Sequence, residues 1–94
     1  MVFGSSLVIM RQPPIHELLN RIRWDAEFAL GNFELGYFDR VTKQVVVIPF
    51  GEISFPPDDP RTFQLMDENG RARRVPFHRV REVHRDGRRI WHRQ

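Results

Sequence analysis

Four apolar residues, Ile15, Leu18, Leu19 and Ile22, recur at the i, i+3, i+4, i+7 spacing that collects side chains on one stripe of a helix. Pro13 and Pro14 stand just before them, in a first turn whose amides would have no intrahelical acceptor anyway. This is the one clear helix, so most of the remaining chain must satisfy its backbone in strands and turns. Trp24 is expected to close the helix against the core. Asp25 to Asn32 then reads as a connector, punctuated by Gly31 and Asn32.

The pattern changes from there to a period of two. Phe33, Leu35 and Tyr37 alternate with Glu34, Gly36 and Phe38, and Val45 to Ile48 is a β-branched run suited to burial. The two segments predict a hairpin turning around Asp39 to Gln44, with Pro49 ending the second strand or placing it at an edge. A short strand is expected at Glu52 to Phe55, and a loop at Pro56 to Pro60. Thr62 to Met66 and Arg71 to Phe77 flank Asn69-Gly70, while Val80 to Arg85 and Arg88 to Arg93 flank Asp86-Gly87. Both dipeptides favour the positive φ angles of tight hairpin turns. A two-residue turn at Asp86-Gly87 would pair Val83 with Ile90 on one face and set Trp91 beside Val80 on the other.

A chain of 94 residues suits one domain. With no cysteine, disulfides, thiolate nucleophiles and zinc-cysteine sites are excluded, which fits a reducing, cytoplasmic setting. Phe3 to Met10 lacks a basic lead-in and a cleavage site and is too short to span a bilayer, so no membrane association is expected. Residues 1–12 form an N-terminal extension that reads equally as an edge strand, a loose arm, or sequence upstream of a start at Met10. Residues 13–94 form the single domain.

Charge is distributed unevenly. Residues 1–70 carry a net −4 and residues 71–94 a net +7, together the formal +3 of the chain. Nearly all of the basic residues are arginines, whose planar forks grip phosphate bidentately. The basic C-terminal third, Arg71 to Arg93, is therefore expected to carry contacts to a polyanion such as RNA. A solvated face rich in surface ion pairs would have the same composition.

No Gly-rich phosphate loop, Gly-x-Ser-x-Gly elbow or His-Glu-x-x-His helix is present, which counts against an enzyme. His78, His84 and His92 lie in the basic region, where two imidazoles could act as base and acid in phosphodiester cleavage. Their spacing matches no zinc pattern, so no metal or other cofactor is expected. His16 lies off the apolar stripe and reads as exposed. Periodicity alone places Tyr37 in the core and lets Asp39 pair with Arg40 or cap the turn. The alternative is a strand-end site where Tyr37 stacks on a base and Arg40 holds a phosphate.

Several blocks occur in an order and spacing that resemble the RNA cyclic group end recognition domain. They are Pro14-Ile15-His16-Glu17-Leu18-Leu19-Asn20-Arg21-Ile22-Arg23-Trp24-Asp25, Leu35-Gly36-Tyr37-Phe38-Asp39-Arg40, Ile48-Pro49-Phe50, Pro76-Phe77-His78-Arg79-Val80-Arg81-Glu82-Val83, Asp86-Gly87 and Ile90-Trp91. The resemblance runs from Pro13 onward and implies recognition of RNA ends bearing a 2′,3′-cyclic phosphate. It also implies an RNA-processing enzyme as a partner, since relatives occur fused to nucleotidyltransferase-like and phosphoesterase-like domains. The residues it implies are Tyr37, Asp39 and Arg40 in one block and His78, Arg79 and Arg81 in another.

The expectation is thus an α+β domain in which one N-terminal helix packs on an antiparallel sheet of five or six strands, with curling into a partial barrel as a variant. Its expected partner is a single-stranded RNA 3′ end. Arg40, Arg79 and Arg81 would hold phosphate oxygens, His78 would donate to the cyclic phosphate, and Tyr37 would stack on the last base. Arg88, Arg89 and Arg93 would extend the contact along the backbone. The competing readings are an RNA-end processing enzyme using His78 and a protein-interaction module; the oligomeric state stays open.

Overall fold

A computed structural model describes residues 12–93. The expectations for the N-terminal extension therefore lie outside the described residues, except at Gln12. Helix α1 spans Ile15–Trp24 and buries Ile15, Leu18, Leu19 and Ile22, the stripe that its spacing predicts. Six antiparallel strands follow: β1 Phe33–Asp39, β2 Gln44–Pro49, β3 Thr62–Met66, β4 Ala72–Pro76, β5 Val80–Arg85 and β6 Arg88–His92. They divide into a four-stranded sheet of order β2-β1-β5-β6 and the separate β3–β4 hairpin. The α+β class holds, but the sheet does not close, so the barrel variant is not adopted.

Phe33, Leu35 and Tyr37 of β1, Val80 and Val83 of β5 and Trp91 of β6 form one buried cluster with the α1 stripe, Phe63 of β3 and Val75 of β4. Aromatic rings join the two sheets: Tyr37 against Phe63, Phe63 against Phe77, Phe77 against Phe55, and Phe55 against Phe50. Ring centroids lie between 5.7 and 6.5 Å apart, in the range where aromatic pairs add stability beyond their buried area.

Several local expectations are corrected by tertiary packing. Val45 and Val47 are 45% and 46% exposed, because β2 is an edge strand and the face they occupy is uncovered among the described residues. Glu52 to Phe55 forms no strand. Phe50–Glu52 is a 3-10 turn, and Ser54 makes only an isolated bridge to Gln64. The hairpin expected around Asn69-Gly70 does form as β3–β4; its last pair is Met66 with Ala72, and the Asp67 carboxylate accepts the Asn69 and Arg71 amides.

The β5–β6 turn does have two residues, with Asp86 at φ 51° and Gly87 at φ 82°. Its consequence differs from the simple register, however. A bulge lets Trp91, not Ile90, oppose Val83, so Trp91 enters the core while Ile90 is left outside. A second bulge makes Arg81 the extra residue of β5 opposite Gly36 and Tyr37. Trp24 is the reverse case: it is 74% exposed and does not close the helix against the core.

Truncating Leu35, which is fully buried, to alanine should cost about 2–5 kcal/mol in urea unfolding. At Gly36 an added Cβ would sit 2.7 Å from Glu82 Cγ and 3.1 Å from Val45 Cγ1. Gly36→Ala should accordingly lower stability by about 1–3 kcal/mol through overpacking, measured in the same way.

Candidate RNA-end groove

The polar side of α1 carries His16, Asn20 and Arg23, again at i, i+4, i+7, and so lined up beside the buried stripe. Two contacts hold the start of this helix against β6. The Trp91 indole N–H donates to the Pro13 carbonyl at 2.8 Å, and the Gln12 side-chain amide exchanges hydrogen bonds with the His92 backbone at 2.8 and 2.9 Å. Facing the helix is the 3-10 turn Phe77–Arg79, whose Phe77 amide donates to the Arg61 carbonyl at 2.9 Å. Arg93 braces that turn: its Nε donates to the Val80 carbonyl at 2.9 Å and its Nη2 to the Phe77 carbonyl at 2.8 Å.

The helix, the Pro60–Thr62 segment, the turn and Arg93 enclose a groove of about 690 Å³. Ile15, Pro60, Pro76 and Phe77 supply apolar wall, and His16, Asn20, Arg23, Arg61, His78 and Arg93 supply the polar atoms. Among the described residues no carboxylate lines it. Arg23 and Arg61 form no ion pair within the described residues, and His78 is exposed on the rim. Cationic and polar donors such as Arg23 and Arg61, beside apolar surface, have the chemistry to receive an anionic group of modest size. A larger depression of about 790 Å³ beside Phe33 and Phe50 is lined by Glu34 and Asp86, carboxylates that oppose a phosphate.

The residues singled out from sequence are scattered over this fold. Tyr37 is 4% exposed and packs edge-on to Phe63, so the expected stacking on a base is corrected: its ring belongs to the core. Burial pushes its phenol above the ordinary value, offset by Arg73 and reinforced by Asp39. Asp39 is buried and caps the β1–β2 turn by accepting the Val41 amide at 2.9 Å; its cation is Arg73 at 3.9 Å, not Arg40. Arg40 is exposed in that turn, at the same sheet end as Phe77–Arg79, because Tyr37 pairs with Val80. Arg79 is half-buried in the turn itself.

Arg81 donates to the His78 carbonyl at 3.0 Å and lies 5.6 Å from the centre of the Phe38 ring. Arg93 lines the groove but is partly committed to the two carbonyls, and burial, with Arg81 nearby, lowers its pKa from the usual value. Arg88 and Arg89 flank the opposite end of β5, roughly 17 Å from Val80 at strand rise, and Arg89 faces Glu82 at 3.8 Å. They do not converge with His78. His84 sits half-buried, its Nε2 3.4 Å from Glu82 Oε2 without the geometry of a hydrogen bond.

His16, Asn20, Arg23 and Arg61 were not identified from the sequence as members of this site. The first three share a helical spacing that was readable once the polar side of α1 was considered. Arg61 carries no local signal, since the pairing of Thr62 with Pro76 and the bond from the Phe77 amide to the Arg61 carbonyl, both long-range, bring its loop to the Phe77–Arg79 turn.

Among the described residues no helix is long and apolar enough to cross a membrane. No curated protein and no solved structure matches the chain. A family model described as the MJ1316 RNA cyclic group end recognition domain matches residues 10–93, nearly the whole sequence. On the strength of that match, the chain belongs to this family of RNA-binding modules that recognise cyclic RNA ends.

Proposed function

We propose that the protein binds the 3′ end of single-stranded RNA bearing a 2′,3′-cyclic phosphate, and that the end sits in the groove between α1 and the Phe77–Arg79 turn. The observation that carries this reading is the gathering of two imidazoles, one amide and the guanidiniums of Arg23 and Arg61, which form no ion pair among the described residues, around a groove that no described carboxylate lines. Arg23 and Arg61 would hold the non-bridging oxygens, and His16, His78 and Asn20 would donate to ester and ribose oxygens. Arg40, Arg79 and Arg81 lie around the same sheet end and would receive the preceding phosphates.

A cyclic phosphate carries a single negative charge, whereas an open monophosphate ester carries about −1.5 to −2 near neutral pH. Charge alone would therefore favour the open end. Preference for the ring requires shape and a partly dry wall, which Ile15, Pro76 and Phe77 supply against the ribose and its cyclic ester. Arg88 and Arg89 would contribute only screened, non-specific attraction to more distant phosphates.

One observation favours a second reading, an RNA-end processing enzyme. His16 and His78 line the same groove, so one imidazole could take a proton from water attacking phosphorus while the other protonates the departing ribose oxygen. The product would be a ring-opened monophosphate. An RNA-processing enzyme as separate partner is the counterpart expected of a pure binding module.

The test uses one short single-stranded RNA with a 2′,3′-cyclic phosphate, a 3′-phosphate or a 3′-hydroxyl end, titrated at two salt concentrations and recovered afterwards. The cyclic end should bind most tightly and return unaltered; an end that the wild type converts and that His16→Ala and His78→Ala leave intact would establish the enzyme reading instead. Arg61→Ala should weaken cyclic-end binding by roughly 10- to 100-fold, the loss expected of a charge-assisted hydrogen bond. Arg88→Ala should leave the preference among ends intact and lower the slope of log affinity against log salt by about 0.7 for each phosphate that the guanidinium neutralised. Equal binding to all three ends would sink the cyclic-end reading.

A further inference from the structure

The exposed tryptophan at the end of α1 has no role in the core. Trp24 is 74% exposed, although tryptophan is among the residues most buried on average. The guanidinium of Arg23 lies 4.8 Å from its ring centre and also 4.1 Å from the centre of the Phe55 ring. Arg23 thus lies against both aromatic rings, and an exposure this high leaves much of the indole open to solvent.

Trp24 is continuous with the groove. Arg23 lines the groove and contacts Trp24, while Asn20 borders both the groove and the shallow depression that Trp24 lines with Glu17, Arg21 and Asp25. His16, Asn20 and Trp24 follow one another at intervals of one helical turn, placing Trp24 about 12 Å along the axis from His16.

From this arrangement we propose that Trp24 is a stacking platform for a nucleobase of the bound RNA, with Arg23 joining the platform to the phosphate site. The inference rests on the groove reading and adds the base contact that buried Tyr37 cannot make. The sides are electrostatically distinct: no described carboxylate lines the groove, whereas Glu17 and Asp25 border the Trp24 side. The phosphate is therefore directed to the groove, and an uncharged base to the indole. A protein interface is the less fitting occupant, because the described residues that line the depression with Trp24 are Glu17, Asn20, Arg21 and Asp25, each polar or charged.

The experiment titrates the full chain with cyclic-ended single-stranded RNA, intact or with an abasic residue replacing the terminal or the penultimate nucleotide, and follows both affinity and tryptophan fluorescence. Intact RNA should quench the exposed indole. Trp24→Ala should weaken binding by roughly 5- to 100-fold, and Trp24→Phe should recover much of the affinity while abolishing the quench. For one of the two abasic RNAs, wild type and Trp24→Ala should bind alike, which identifies the stacked base. Unquenched fluorescence with unchanged affinity in Trp24→Ala, while the cyclic end is still preferred, would overturn the stacking inference and leave the groove reading standing. Quenching and a Trp24→Ala loss that are identical for all three ends would retain the stacking platform and overturn the cyclic-end reading.

Discussion

The groove depends on the last strand. Trp91 and Arg93 lie two residues apart, yet one is bonded to the residue that precedes α1 and the other to the turn that carries His78. The indole N–H satisfies the Pro13 carbonyl, and the guanidinium satisfies the carbonyls of Phe77 and Val80. The Pro13 carbonyl lies ahead of the helix's own hydrogen-bond ladder and receives its donor from the indole, whereas the Phe77 carbonyl already accepts the Val80 amide and gains a second donor in Arg93. The same bonds set the separation of the two groove walls, so stability and site geometry have a common origin. The bulge at Ile90 is the enabling irregularity, because without the extra residue Trp91 would point away from the core.

The distribution of charge along the chain is a poor map of where charge acts in the fold. Most arginines of the basic C-terminal third have intramolecular partners: Arg73 faces Asp39, Arg74 makes a two-pronged contact with Asp58, and Arg89 faces Glu82. Arg85 donates to the Leu30 carbonyl, and Arg81 and Arg93 donate to others. Two guanidiniums of the groove, Arg23 and Arg61, instead come from the part of the chain whose net charge is negative. A free guanidinium at a carboxylate-free surface matters more for phosphate binding than the total charge of a segment. The acidic loop residue Asp58 illustrates the point: its hydrogen bond from Arg74 holds its carboxyl below the ordinary range and offsets charge that would otherwise serve RNA.

Local periodicity was a reliable guide wherever one face of an element meets the core. The α1 stripe, the alternation of Phe33, Leu35 and Tyr37, and the Asp86-Gly87 turn all follow from short-range pattern. It misled where two elements of similar composition differ only in their neighbours. Val45 to Ile48 has the composition of a buried strand but occupies an edge, and Trp24 has the composition of a core anchor but stands in solvent. Among the candidate site residues, His78 and Arg93 were recognisable and do line the groove, whereas Tyr37 and Asp39 support the fold. His16, Asn20 and Arg23 went unnoticed because polar spacing on a helix carries no functional meaning until the opposite wall is known.

The amino-acid sequence by itself determined the kinds and order of the elements and the family, because dihedral preference, capping and alternation act over a few residues and their blocks recur at set spacing. Only the tertiary structure decided which arginines are paired, which aromatic rings are buried, and that a helix residue, a loop residue and a turn residue share one groove. Those outcomes depend on bulges and on bonds between residues as far apart as Pro13 and Trp91. A bulge shifts every later side chain to the other face, and no pairwise pattern within a short window encodes that shift.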